Sequence, residues 1–160
     1  MKHLIIGLTF LFSTPMFPHG AKTHKSEGND KSTKVISGQN IRSINGAYRS
    51  KIKPLFERSC FDCHSKFTTY PWYHRLPGIR SLIDEDVSKG RKHLDMSNDF
   101  PFLGHGTLIE DLEELKEVIT ENEMPPWSYK LFHWGSRLSI REKKIILRWI
   151  SNSIGLLENK

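Results

Sequence analysis

The sequence predicts an all-α domain with long connecting loops. Two stretches, beginning at Thr107 and Ser139, open on a Ser/Thr-x-x-Glu pair and continue with apolar residues at helical spacing. Strand signals are nearly absent. A length of 160 residues, 37% of them apolar and 26% charged, suits one soluble domain with a modest core.

Taken in chain order, the elements start with a leader. Lys2 precedes an apolar run from Leu4 to Phe12, followed by Pro15, Pro18 and the small pair Gly20 and Ala21. This is the order of a secretory signal peptide, expected over 1–21. The run is too short to cross a bilayer, which takes about 20 residues, and no cysteine near its end offers a site for lipid. The expected location is therefore the periplasm or another exported compartment, with no stable membrane anchor once the leader is cleaved. Residues 22–45, rich in Lys, Ser, Gly, Asn and Thr, read as a flexible polar linker, and 46–160 as the folded domain.

Within that domain Pro54 suits the first turn of a short helix, "PLFERSC", which runs into the cysteines. A second helix follows from the spacing of Ile79, Leu82, Ile83, Val87 and Leu94, with Gly90 weakening its later half. Thr107 and Glu110 cap a third, carrying Leu108, Leu112, Leu115 and Ile119 and ending before "MPPW". Ser139 and Glu142 cap a fourth, with Ile146, Trp149, Ile150 and Ile154 on one face and Gly155 as its expected stop. Loops are expected at 65–78, 95–106 and 124–138.

A formal charge of +6 favours an acidic partner. No recognition-helix pattern, zinc-finger spacing or RNP-like motif accompanies it, so nucleic acid is not the expected one. The charge is also divided along the chain. Seven acidic residues and one Lys lie between Glu110 and Glu123, against five basic residues and one Glu between Arg137 and Arg148. Either stretch suits electrostatic docking of a partner protein.

The chemistry concentrates in "CFDCH". Cys60 and Cys63 are the only cysteines, and His64 follows directly. A structural zinc site wants about four ligands in separated pairs, and a dithiol switch usually follows a strand in a βαβ setting; neither context is present. C-x-x-C-H is the attachment sequence of c-type haem. Two cysteines one helical turn apart each form a thioether to one haem vinyl group, and the histidine supplies an imidazole to the iron. The expected cofactor is one covalently attached haem c. A soft thioether on the opposite face suits electron transfer, and Met124, in "ENEMPPWSY", is the best placed of the four methionines. His133 is its leading rival, with His74, His93 and His105 behind it, while Met96 lies in a polar stretch.

The combination "KPLFERSCFDCHSKFTTYPWY", "MPPWSYKLFH" and "RLSIREKKIILRWI" resembles the bacterial haem-binding domain family with a single C-x-x-C-H motif, over residues 46–152. That family is related in plan to monohaem class I cytochromes c. The resemblance implies a small cytochrome c-like helical domain wrapped around one haem, with covalent attachment at Cys60 and Cys63 and His64 as proximal ligand. It also suggests Met124, by analogy with the methionine loop of those cytochromes.

Among the aromatic residues, Trp149 is expected in the core. Tyr70, Trp72, Tyr73 and Trp127 are candidates for walls of the haem pocket or for hydrogen bonds to a propionate, and Arg75 and Arg80 for offsetting propionate charge. A carbonyl near Pro71 or Pro77 is expected to orient His64. The function expected is an exported monohaem cytochrome c that passes single electrons between redox partner proteins. A haem enzyme or gas or peroxide sensor with a displaceable sixth ligand is the alternative, and a thiol-redox or metal-binding module without haem a third class.

Overall fold

A computed structural model describes residues 37–158. The leader and the linker as far as residue 36 lie outside the described residues. Seven α-helices account for most of the rest: α1 (Gly38–Ala47), α2 (Lys53–Ser59), α3 (Phe61–His64), α4 (Ile79–His93), α5 (Leu108–Thr120), α6 (Trp127–Phe132) and α7 (Ile140–Glu158). A two-residue antiparallel ribbon pairs β1 (Leu94–Asp95) with β2 (Leu103–Gly104), and short 3-10 turns occupy Trp72–Arg75 and Trp134–Ser136. Among the described residues no helix is long and apolar enough to cross a membrane.

The first helix begins inside the stretch read as linker and runs across the expected boundary at 46. Its sequence is polar, but Ser37 caps it by accepting the N–H of Gln39, and Ile44 is fully buried. Ile44 begins a ladder, Ile44, Tyr48, Ile52 and Phe56, in which every member is buried. A strict four-residue repeat drifts about 40° per step around a helix of about 3.6 residues per turn. The wider π-helical turn at Tyr48–Ile52 takes up the drift and keeps all four side chains on the core.

An aromatic cluster forms the middle of that core. Tyr48 meets Phe102 edge-on at 5.1 Å, and Phe56 stands perpendicular to Trp149 at 6.4 Å. Leu112, Leu115 and Ile119 of α5 and Ile146, Ile150 and Leu157 of α7 complete it. Met96 belongs here too, at 2% exposure, although its neighbours in sequence are polar.

The two capping boxes form as expected. Thr107 Oγ1 accepts the N–H of Glu110 while Glu110 Oε2 accepts that of Thr107, and Ser139 and Glu142 repeat the exchange. The two helix ends compare differently with expectation. α5 ends before the prolines as expected, and Asn122, at a φ of 65°, lets Glu123 N–H reach back to the Val118 carbonyl. α7 continues through Gly155, because Leu157 still has a core position to fill. The expected loop at 124–138 contains α6, and that at 95–106 contains the ribbon.

Candidate haem site

The pentad spans a break between two helices. Cys60 ends α2, and Phe61–His64 forms the single turn α3, so both cysteines and the histidine emerge from one compact bend. Both thiols are free rather than joined as a disulfide. Burial pushes the Cys60 thiol up to about 12, with Cys63 adding to the shift, and burial pushes Cys63 up to about 11, with Asp86 and Asp62 adding to it. Thiols held protonated in this way lack the low-pKa character of a reactive dithiol redox pair.

His64 is held at two points. Its Nδ1–H donates to the Leu94 carbonyl oxygen at 3.0 Å, and its own carbonyl accepts the N–H of Met96 at 2.6 Å. The acceptor is thus the β1 strand and not the region of Pro71 or Pro77. A carbonyl can only accept, so Nδ1 carries the proton and Nε2 keeps its lone pair. Burial lowers the His64 pKa, against the raising effect of the Leu94 and Gly90 carbonyls, and favours the neutral ring that ligates a metal.

Four segments close a circuit around this turn. Between the cysteines, Asp62 accepts the Tyr129 hydroxyl of α6 at 2.5 Å and the Thr69 N–H at 3.0 Å. From α6, Phe132 and His133 pack on Tyr73 of the 3-10 turn, with ring centroids 5.3 and 6.4 Å apart. His74, in the same turn, pairs with Asp84 of α4 at 2.7 Å. The circuit closes where α4 returns to α3: a Cβ on Gly90 would lie 2.7 Å from the Cys63 carbonyl oxygen. Gly90 therefore permits the contact, whereas the sequence marked it only as a weak point of the helix.

The remaining site candidates separate cleanly. Tyr73 is half-buried in the circuit, and burial followed by Asp62 raises its pKa. Tyr70 packs on His74 with centroids 4.1 Å apart and the rings tilted by 35°. Trp72 and Trp127 are 78% and 77% exposed, and Trp134, Phe132 and Leu82 are also largely exposed. So many large apolar side chains left in water on the segments around one motif are the mark of a ligand or partner surface. Arg75 is exposed, and Arg80 pairs with Asp84 at 3.5 Å.

Met124 stands three residues ahead of α6, its side chain 39% exposed, its N–H directed to the Val118 carbonyl at 3.4 Å. His133 stacks flat on Tyr129 at 4.0 Å and donates Nδ1–H to the Tyr129 carbonyl, which leaves its Nε2 as the free nitrogen. Met96 is spent in the core and His74 on Asp84, while His93 and His105 form a separate pair by the ribbon. Sequence reasoning missed Leu94, Asp62, Gly90 and Tyr129. Only Asp62, by lying inside the motif, offered a signal.

The residues fit a c-type haem. Two free thiols flank one turn, a neutral imidazole has its far nitrogen oriented by a carbonyl, and flat apolar side chains stand uncovered on the surrounding segments. No solved structure matches the chain. Cytochrome c peroxidase Ccp of Escherichia coli (strain K12) is 30% identical over 99 residues, which are 61% of this chain and 21% of that protein. The chain thus spans about a fifth of the length of this curated relative. The model of the haem-binding domain matches residues 21–152. That span takes in the pentad, the whole circuit and the helix α1 that composition had assigned to a linker, and the chain belongs to the haem-binding domain family.

Proposed function

We propose that this haem protein is an exported monohaem c-type cytochrome that carries single electrons between redox partner proteins. The observation that carries the reading is the Nδ1–H bond from His64 to Leu94 beside two free thiols, an arrangement that prepares Nε2 to ligate iron. When bound, haem supplies a one-electron change between ferric and ferrous iron. The chain supplies the rest. Cys60 and Cys63 would anchor the group covalently, His64 would ligate the iron, and Met124, on the segment that Tyr129 ties to the motif, would supply a second ligand. Trp72, Tyr73 and Trp127 would pack against the group and exclude water. Export follows from the leader, and the acidic α5 and basic α7 are the surfaces on which a redox partner docks.

A second reading, a haem enzyme or a gas or peroxide sensor, draws on the exposure of Met124 and on the likeness of part of a cytochrome c peroxidase to this chain. Both readings share the attachment, and one experiment tests it. Protein made with its leader in a host able to attach haem c should have the mass of the processed chain plus one haem after acid and organic extraction. A Cys60→Ala, Cys63→Ala variant should have the mass of the chain alone. Wild-type protein of apoprotein mass from such a host rejects covalent attachment, and absorption spectra of both redox states then report whether any haem is held at all.

A further inference from the structure

We propose that His93, His105 and Glu114 form a second metal site, apart from the pentad, for a divalent transition ion of the zinc class. The three come from different elements: the last residue of α4, the residue after β2, and the second turn of α5. One ligand atom of each lies within 4.8 Å of the other two. Around a tetrahedral zinc ion, with bonds of about 2.0–2.1 Å, ligand atoms stand about 3.3 Å apart. His105 Nε2 and Glu114 Oε2 are already 3.6 Å apart. All three side chains are exposed, so rotamer adjustment alone closes the wider gaps.

The orientation of His105 is that of a metal ligand. Its Nδ1–H donates to the His93 carbonyl at 3.1 Å, which leaves Nε2 as the nitrogen that faces Glu114 and that a metal ion would take in place of a proton. Metal-bound histidines characteristically give their other N–H to a backbone carbonyl or carboxylate in this way. His93 thus fixes His105 through its backbone and offers its own ring, 5.4 Å away and nearly perpendicular, as a further donor. The Gly106 N–H, bonded to Asp111 Oδ1 at 3.1 Å, ties the His105 loop to the helix that carries Glu114. An ordinary surface ion pair accounts for His105 and Glu114 but not for the convergence of His93. Two imidazoles and one carboxylate match a ligand set that holds zinc and leaves a position to solvent. The site needs nothing from the haem reading.

The test uses the untagged, haem-loaded full chain, stripped of loose metal and titrated with Zn²⁺ against a chromophoric chelator. One equivalent should bind in the micromolar range or tighter. His93→Gln, His105→Gln and Glu114→Gln should each weaken binding by at least the roughly tenfold that loss of an outer-shell partner costs. A His24→Gln variant should bind as wild type does. In the wild type itself Zn²⁺ should shift the ring resonances of His93 and His105, which keeps the test valid if a variant folds poorly. Binding only at millimolar zinc, equal binding by a variant lacking all three side chains, or unmoved His93 and His105 resonances would overturn the site.

Discussion

The hydroxyl of Tyr129 lies 2.5 Å from Oδ2 of Asp62, a residue enclosed between the two cysteines of the pentad. The bond joins α6, and with it the segment carrying Met124, to the turn that carries His64. Burial, reinforced by Asp62, holds the phenol above its ordinary pKa, so it stays a donor across the working range. Hydrogen bonds to charged acceptors contribute about 1.5–3 kcal/mol net. Tyr129→Phe should therefore cost about 2 kcal/mol in urea denaturation, whereas Tyr70→Phe, on an exposed ring, should leave the midpoint nearly unchanged. Equal midpoints for Tyr129→Phe and wild type would remove this bond as the brace between the two segments.

Gly90 and Gly155 should respond oppositely to the same substitution. Both lie within helices, where Gly to Ala ordinarily gains about 1 kcal/mol. Nothing lies within 4 Å of a Cβ at 155, so Gly155→Ala should realise that gain. At 90 the added carbon meets backbone, the Cys63 carbonyl oxygen at 2.7 Å, which cannot step aside as a side-chain end can. Overpacking of this kind costs about 1–3 kcal/mol, so Gly90→Ala should be net destabilising and should disturb the haem spectrum. Thermal melts and spectra of the two variants check the contrast, and stabilisation by both would mean that α4 does not press on the motif.

The same residues show why part of the molecule was legible in sequence and part was not. α5 and α7 were legible because their signals are local: a capping pair three residues apart and an apolar face at helical period. The pentad was legible because its chemistry is packed into contiguous residues. The orientation of His64 depends instead on a backbone carbonyl 30 residues away, and a carbonyl carries no side-chain signature. Asp62 and Tyr129 meet across 67 residues. α6 was hidden because two prolines read as a loop signal, yet Pro126 stands at the position just before the helix, where a missing N–H costs nothing. The face of α4 was read with the right spacing and the wrong surroundings. Val87 is buried, but Ile79 and Leu82 are exposed toward the end that joins the circuit.

Glu142 should contribute stability that vanishes in acid. Its carboxylate accepts the Ser139 N–H at 2.7 Å and the Arg58 guanidinium at 2.8 Å, and these bonds, the backbone one first, hold its pKa below the ordinary glutamate value. A depressed folded-state pKa stabilises above the unfolded-state value, and that contribution is lost as pH falls through the folded one. Glu142→Gln should cost about 1 kcal/mol at neutral pH. The difference from wild type should narrow as the pH falls below about 4. Denaturation curves at a series of pH values check it; a constant difference down to pH 2 or so would show that the carboxylate charge is not what the cap uses.

The identity of the ligand opposite His64 separates carrier from enzyme. Met124 and His133 both stand by α6, and each has a free donor atom: the Met124 sulfur on a partly exposed side chain, and His133 Nε2 on a ring whose Nδ1–H is engaged. A thioether favours ferrous iron and raises the potential. With Met124 as ligand, the ferric protein should show a weak sulfur-to-iron band at the red end of the spectrum and react slowly with carbon monoxide, cyanide or peroxide. Met124→Ala should lower the potential and admit those ligands at once. Met96→Leu should do neither, because Met96 fills the core at 2% exposure and a volume-conserving change there is tolerated. If His133→Ala rather than Met124→Ala opens the iron, the carrier reading stands with a different ligand and a lower potential. A wild-type protein that is already high-spin and binds carbon monoxide immediately has no strong sixth ligand, and the exposed Met124 then marks an entrance for peroxide or a gas rather than the far side of an electron-transfer centre.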